Sequence, residues 1–274
     1  MSDEKLCLSA SQIETFSRCP EQWRRRYIEG DKIPPAIAML RGTAVHIGAK
    51  RNMQQKVMTK QDIPAKEIVG IAINEFELAL KDGYELRADE KEKGSRVVIG
   101  QAKDDVADMA YCHAKEQAPD YQPVLVEKKV RIELPMCDYD FVGVLDLADN
   151  KDRIIDFKTA GRRKSQSDAD GSIQLTGYAA NFEEIMKRPP AGLVLDVVVK
   201  TKTKTYRDLV TTDRSEPDYE VLKQRILVMS LAIKAGIFTP ASLGSWWCNP
   251  RWCGYATSCR YYNSERQAAA DSQE

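Results

Sequence analysis

The segment Arg153-Ile154-Ile155-Asp156-Phe157-Lys158-Thr159 decides the fold of this chain. It is an apolar, β-branched run that carries a carboxylate and an ammonium group two positions apart, and such a run favours a β-strand. Because side chains alternate between the two faces of a strand, Asp156 and Lys158 are predicted to lie on the same face.

The run that precedes this segment, from Phe141 to Leu147, also predicts a strand, and Asn150-Lys151-Asp152 supplies a turn between the two. A hairpin of this kind would set Asp146 beside Asp156. Two carboxylates at the end of a sheet suit magnesium, which is usually held by one or two carboxylates together with substrate phosphate. The lysine could orient or deprotonate an attacking water, or offset charge on phosphate. An Asp-x-Lys pair is also common as an exposed ion pair on a strand, and the segment alone favours that interpretation.

The remaining pattern predicts helices around this sheet. From Val124 the apolar period becomes 2, which indicates a strand, and residues 193–199 form a β-branched run typical of a buried strand. Ser9 or Ser11 is predicted to begin the first helix, with Glu14 able to complete a capping box. Further helices are predicted over about 36–56, 64–81, 96–117, 173–186 and 218–235. This order indicates one α/β core with a helical N-terminal elaboration.

The composition argues against two classes of protein. The 274 residues include 41 basic and 41 acidic residues, so the chain does not coat nucleic acid through its bulk charge. Basic residues nevertheless cluster at 24–26, 158–164 and 200–204, and the second cluster continues directly from the Asp156 strand. No run of about eighteen apolar residues predicts a membrane span, and the polar N-terminus lacks the apolar stretch of a signal peptide. We therefore expect a cytoplasmic protein.

Four motifs occur in an order that resembles the PD-(D/E)XK nuclease superfamily. They are Gly42 to His46, Gly143 to Asp146, Asp156 to Lys158, and Gln174 to Tyr178. The resemblance is to the RecB-like branch, which includes the AddB nuclease domain and the CRISPR-adaptation nucleases, and it spans nearly the full chain. It implies a restriction-endonuclease-like fold, with a central mixed sheet flanked by helices.

The resemblance also implies roles for individual residues. It places His46, Asp146 and Asp156 on a catalytic Mg²⁺ or Mn²⁺ ion, makes Lys158 the catalytic lysine, and gives Gln174 and Tyr178 contacts to DNA. Glu127 corresponds to a glutamate near the DNA end or the outer shell of the metal, although an exposed strand glutamate paired with a lysine remains open. His113 matches no motif and is interpreted as a hydrogen-bonded core residue.

The seven cysteines carry a second signal. An odd number in a cytosolic setting argues against a framework of disulfides. Cys248, Cys253 and Cys259 share one loop punctuated by glycine and proline, and Cys19 lies in a segment similar to the N-terminal cysteine motif of AddB-type nucleases. That similarity implies a [4Fe-4S] cluster held by these four residues, with zinc or free buried thiols as alternatives. The usual spacing of the late cysteines is Cys-x2-Cys-x5-Cys, and here it is Cys-x4-Cys-x5-Cys.

The predicted function is a metal-dependent DNA nuclease, an exonuclease acting at DNA ends or on single strands in recombination, repair or phage DNA processing. The alternatives are a non-catalytic DNA-binding or structural subunit and a CRISPR-adaptation nuclease. DNA is the expected partner, together with a possible helicase or recombination protein. We expect one nuclease domain over 1–263, with a helical elaboration (36–118), a nuclease core (122–236) and a cysteine loop (246–262), followed by a polar tail (264–274).

Overall fold

The structure is a computed structural model, and it describes residues 6–242 and 244–262. Its sheet contains six strands: β1 (Leu6–Ser9), β2 (Pro123–Ile132), β3 (Tyr139–Asp149), β4 (Arg153–Ala160), β5 (Gly192–Lys200) and β6 (Thr205–Thr212). The strands β1, β3, β4, β5 and β6 follow one another across the sheet, and β2 pairs with β3. Both parallel and antiparallel pairs occur. The predicted mixed α/β sheet flanked by helices is confirmed.

The helices cover both sides of this sheet. The longer ones are α1 (Ala10–Arg18), α2 (Pro20–Tyr27), α3 (Ile37–Thr59), α4 (Ala65–Lys81), α6 (Ser95–Cys112), α8 (Ile173–Met186) and α9 (Glu216–Lys234). Two short helices, α5 (Ala88–Lys93) and α7 (Gln166–Asp170), lie between them. Helix α6 continues into a π-helical turn at His113–Gln117 and a 3₁₀ turn at Ala118–Asp120. No helix in the described ranges is long and apolar enough to cross a lipid bilayer.

Strand β4 separates two apolar layers. Ile155 and Phe157 pack with Ala49 and Met53 of α3. Ile154 packs on the other side, with apolar residues of α8. The alternation that the sequence predicts is therefore present, and it places the even-numbered residues of β4 on the side of α8.

The strands β3 and β4 separate where the site residues lie. Leu147 pairs with Ile155, and Ala148 pairs with Ile154, but the pairing goes no further. Strand β1 occupies the other end of the same edge of β3 and stops at Ser9, opposite Val142. The opposite edge of β3 is covered by β2. An opening therefore remains in the sheet beside residues 143–146.

Two glycines allow α8 to approach β3 closely. A Cβ atom on Gly177 would lie 2.4 Å from Cζ of Phe141, and one on Gly143 would lie 2.2 Å from Nδ2 of Asn181. Both distances are too short for any side chain larger than hydrogen. The close approach brings the residues of α8 to the opening between β3 and β4.

Four elements lie outside the sequence-based predictions. Strand β6 carries Arg207 and Asp208 at the edge of the sheet, so it lacks a clean apolar period. Strand β1 has only four residues. Helix α5 lies in the charged stretch between the helices predicted over 64–81 and 96–117, and α7 is a five-residue helix. The predicted polar tail (264–274) lies outside the described residues.

The packing of α8 on β3 predicts the effect of adding one methyl group. Gly177→Ala should lower the free energy of unfolding by about 1 to 3 kcal/mol, because the new Cβ overpacks against Phe141. Gly70→Ala is the matched control: it also lies within a helix, but no atom lies within 4 Å of its added Cβ. The control should raise stability by up to about 1 kcal/mol. Chemical denaturation of both variants measures this, and equal effects would contradict the close packing of α8.

Candidate metal-dependent active site

Three adjacent strands each contribute one carboxylate to the opening in the sheet: Glu127 from β2, Asp146 from β3 and Asp156 from β4. The β2–β3 pairing includes Val126 with Leu147 and Lys128 with Leu145, and it leaves out Glu127 and Asp146, which stand between them. Glu127 has a φ of 52°, in the left-handed region that non-glycine residues rarely adopt. Backbone strain of this kind concentrates at functional sites.

Helix α3 supplies the imidazole. Nε2 of His46 lies 3.0 Å from Oε1 of Glu127, and its Nδ1 lies 3.9 Å from Oδ2 of Asp146. Lys50, one turn later on α3, donates to Oε2 of Glu127 at 3.1 Å. One ligand atom from each of His46, Glu127 and Asp146 lies within 4.8 Å of the other two. These three residues could therefore share one cation.

Asp156 and Lys158 lie beside this group. The side chain of Asp156 is fully buried, and neither of its carboxylate oxygens has a hydrogen-bond partner. Nζ of Lys158 forms an ion pair with Oδ1 of Asp156 at 3.0 Å. A buried carboxylate is costly unless cations offset its charge, and the ammonium of Lys158 does so on one side of Asp156.

The electrostatics of the site favour a bound cation. Burial and the negative charge of Asp156 raise the pKa of Asp146 to about 7. Burial by itself would lower the pKa of His46, but the hydrogen bond to Glu127 and the charge of Asp146 outweigh it and raise that pKa. A cation bound between these groups would oppose the repulsion between the carboxylates.

Gln174 and Tyr178 of α8 link the lysine to a carboxylate. Lys158 donates to Oε1 of Gln174 at 2.6 Å, and Nε2 of Gln174 donates to the Tyr178 hydroxyl at 2.6 Å. That hydroxyl donates to Oδ1 of Asp146 at 2.8 Å, and Tyr178 is only 4% exposed. The chain of hydrogen bonds fixes the positions of both charged groups. The DNA contact expected for these two residues remains a prediction.

The donor set fits the expected metals. Carboxylate oxygens are the ligands that magnesium prefers, and an added imidazole also suits manganese. The structure brings together the five residues predicted for the metal and for catalysis, which are His46, Glu127, Asp146, Asp156 and Lys158. Gln174 and Tyr178, predicted to contact DNA, lie next to them.

Two charged residues near the site were not predicted. Lys50 could have been found from its position one turn after His46 on the same face of α3. Glu14 of α1 lies close enough to Lys158 and Asp156 for their charges to affect its pKa, which burial raises. Its sequence position indicates only a helix cap, so nothing in the sequence points to this proximity.

The four candidate cluster cysteines line one cavity of about 170 Å³. Cys19 ends α1 and precedes α2, and the other three lie in the loop after α9. Burial raises the pKa of Cys253, and the charges of Cys19 and Cys259 act in the same direction. The other cysteines, at positions 7, 112 and 137, do not line this cavity.

The raised pKa of Asp146 predicts that ionisation of its carboxyl group destabilises the metal-free protein. With a folded pKa near 7 and an unfolded pKa near 3.8, ionisation costs the folded state about 1.4 kcal/mol per pH unit between these values. The metal-free wild type should therefore lose stability as the pH rises from 5 to 7. Asp146→Asn, which stays neutral, should become more stable relative to wild type by roughly 2 to 3 kcal/mol over that range. Denaturation in chelator at both pH values measures this, and a pH-independent difference would contradict the burial of an ionisable Asp146.

Comparisons with known proteins identify the family of this chain and show one similar fold. The family model of the PD-(D/E)XK nuclease superfamily matches residues 7–260. The structure is similar in fold to an Eubacterium rectale protein described provisionally as an exonuclease, with a TM-score of 0.50 and 14% identity over 96% of this chain and 92% of that one. The protein SSO0001 aligns over 95% of this chain and 89% of its own, with 11% identity and a TM-score of 0.41. No curated protein sequence matches the chain. Since the family model covers nearly all of it, the chain belongs to the PD-(D/E)XK nuclease superfamily.

Proposed function

We propose that this chain is a Mg²⁺- or Mn²⁺-dependent deoxyribonuclease that hydrolyses phosphodiester bonds as an exonuclease, at DNA ends or in single strands. The observation that carries this proposal is the pairing of Asp146, which is about 10% exposed, with the fully buried Asp156, with Lys158 at 3.0 Å from Asp156 and the imidazole of His46 beside Asp146. The RecB-like order of the motifs is what favours end-directed cleavage. The description of the Eubacterium rectale protein is in line with it.

In this proposal Asp146 and Asp156 hold the cation, and His46 and Glu127 complete its surroundings. When bound, the cation supplies an acidified water and offsets the charge that develops on the phosphate. Two residues of α8 fix the positions of the charged groups. The Tyr178 hydroxyl donates a hydrogen bond to Asp146, and Gln174 accepts one from the ammonium of Lys158. Preorganised charges of this kind stabilise a transition state because they need not move during the reaction.

Lys158 is proposed to act as a positive charge that faces the phosphate and the attacking water. Burial opposes its charged form, but the carboxylates of Asp156 and Asp146 more than compensate and raise its pKa. A cation between the carboxylates would weaken this effect, because it neutralises the charges that hold the proton on the lysine. Lys158 could then also accept a proton from water.

The proposed cation ligands predict a large loss of activity from a nearly isosteric change. Asp156→Asn should lower the rate of DNA cleavage on the order of a thousandfold or more, because it removes a ligand charge that stabilises the transition state. Asp152→Asn is the matched control: it lies in the same hairpin, where it pairs with Arg188 outside the site, and should keep full activity. End-labelled single- and double-stranded DNA, with Mn²⁺ or with chelator, provides the assay.

Asp156→Asn activity within tenfold of wild type would contradict the assignment of Asp156. Wild-type protein that binds DNA but cleaves none of these substrates would favour the alternative of a non-catalytic DNA-binding subunit. Release of internal fragments from circular single-stranded DNA would show that cleavage does not require an end.

We further propose that Cys19, Cys248, Cys253 and Cys259 hold a [4Fe-4S] cluster. The four residues line one cavity, which is the arrangement that a shared prosthetic group requires. The only group of three metal-ligand atoms within 4.8 Å of one another, in the part of the chain that the structure describes, is the one at His46. Sulfurs around tetrahedral zinc would lie about 3.8 Å apart, given Zn–S bonds of about 2.3 Å. No three of the four cysteine sulfurs lie within 4.8 Å of one another, which supports the larger cluster over a single zinc ion.

The cysteine loop also packs on α2 and the segment after it through contacts that need no metal. The hydroxyl of Tyr255 donates to the carbonyl of Asp31 at 2.5 Å, and the guanidinium of Arg25 lies 4.6 Å from the centre of the Tyr255 ring. Arg25 also donates to the hydroxyl of Ser258 at 2.9 Å. The proposed cluster would reinforce a connection between the N- and C-terminal segments that already exists.

The cluster proposal predicts a coloured protein whose stability depends on the four thiolates. Anaerobically purified wild type should be brown and contain close to four irons, and Cys253→Ser should lose colour and melt at a lower temperature. Cys7→Ser is the matched control, because Cys7 is also half-buried but lies outside the cavity, and it should keep the iron. Stoichiometric zinc in a colourless wild type would replace the cluster with a zinc site. Wild type without either metal would contradict both.

A further inference from the structure

A second cavity adjoins the proposed metal site. It has a volume of about 300 Å³ and lies between α3, β4, β5 and the π-helical turn after α6. His46 and Lys158, two residues of the proposed active site, form part of its wall. A molecule in the cavity would therefore lie next to these two residues.

One polar group in the wall of the cavity is His113, whose side chain is fully buried. Nε2 of Gln117 donates to the carbonyl and to Oδ1 of Asp196, at 3.0 and 2.8 Å. The remaining Oε1 of Gln117 can only accept, so the 2.9 Å contact requires that Nδ1 of His113 carries the proton. Its Nε2 is then an acceptor.

That acceptor has no hydrogen-bond partner in the structure. Burial lowers the pKa of His113 to about 4, so the ring stays neutral and Nε2 keeps its lone pair. A buried acceptor left unpaired is unfavourable, and a donor group that enters the cavity would relieve the cost.

The rest of the wall combines hydroxyls with apolar surface. Thr43 and Thr159 contribute hydroxyl groups, and the apolar part is formed by Val45, Ala49, Phe157 and Val198. Gly42 leaves space, because a Cβ atom there would lie 2.9 Å from Oγ1 of Thr159. Apolar walls with a few converging polar groups are typical of small-molecule sites.

We propose that this cavity binds one nucleobase of the DNA strand, from a nucleotide that adjoins the scissile phosphate. The inference rests on the proposed nuclease function and adds a base-binding subsite to it. His113 accepts a hydrogen bond from an N–H group of the base, the threonine hydroxyls contact its other polar atoms, and Phe157 and the aliphatic residues cover its faces.

The chemistry of the cavity favours a base over the other parts of DNA. A phosphate diester offers only acceptors, so it cannot satisfy the lone pair of His113. All four bases carry at least one N–H donor together with acceptors and apolar faces. A volume of about 300 Å³ lies at the lower limit of ligand pockets and is large enough for one unpaired base. Enzymes that place a single base in such a pocket draw it out of the stack or act on single strands.

The test combines protein variants with abasic DNA. Single-stranded oligonucleotides that carry one abasic residue at successive positions are cleaved by wild type, Thr159→Val and Gly42→Ala. The control is Thr211→Val, an exposed strand threonine on β6 that does not line the cavity. An abasic residue keeps the phosphate and the sugar, so it removes the base contacts alone.

We expect wild type to lose about three- to tenfold in kcat/KM when the abasic residue occupies one particular position next to the cleaved bond. Relative to wild type, the kcat/KM of Thr159→Val should fall by a similar factor on intact DNA. On DNA that is abasic at that position, it should fall by less than twofold. Gly42→Ala narrows the cavity, so its kcat/KM on intact DNA should fall further than that of Thr159→Val. On the abasic DNA its kcat/KM should also stay within twofold of the wild-type value. Thr211→Val should behave as wild type.

Equal losses on intact and abasic DNA would overturn the inference, because the variants would then be acting on Lys158 or His46. Wild-type cleavage that is insensitive to abasic residues at every position would also overturn it, while the proposed nuclease function would stand. Absence of any metal-dependent cleavage by wild type would instead overturn the proposed function itself, and the base subsite with it.

Discussion

The central constraint in this structure is the burial of Asp146 beside Asp156. Two carboxylates in a poorly solvated position repel each other, and the effect is visible in the raised pKa of Asp146. The surrounding elements compensate for this repulsion: Lys158 brings positive charge, His46 lies 3.9 Å from Asp146, and Tyr178 donates a hydrogen bond. The fold thus keeps a locally unfavourable arrangement in place, which is the condition expected of a site prepared for a cation.

Helices α3 and α8 hold this arrangement from two sides. Helix α3 is shared between the site and the helical elaboration, because its buried residues pack with α4 and α6 while His46 and Lys50 reach Glu127. Helix α8 depends on Gly177 and Gly143 for its close approach to β3. Substitutions in either helix that lie far from the carboxylates could therefore shift the residues of the site without replacing any of them.

The sequence was sufficient to predict the centre of the fold because its signals are local. The period-2 pattern around Asp156 and the turn at Asn150-Lys151-Asp152 place Asp146 and Asp156 in one hairpin, and the helix over 173–186 agrees with Ile173–Met186. Features that depend on distant parts of the chain were missed. The left-handed conformation of Glu127, the proximity of Glu14 to Lys158, and the edge strand β6 all depend on tertiary packing, and no pattern within a short window encodes them.

The most direct test of the account is the position of a bound metal. A crystal structure of wild type with Mn²⁺, with the ion located by anomalous diffraction, should show a peak within coordination distance of Asp146 and Asp156, and Lys158 beside it without ligating the metal. Occupancy should fall as the pH drops below about 7, because the carboxyl of Asp146 is then protonated. A peak that does not touch Asp146, or no peak at a pH above 7 with saturating Mn²⁺, would contradict the assignment of this site as a metal-dependent active centre.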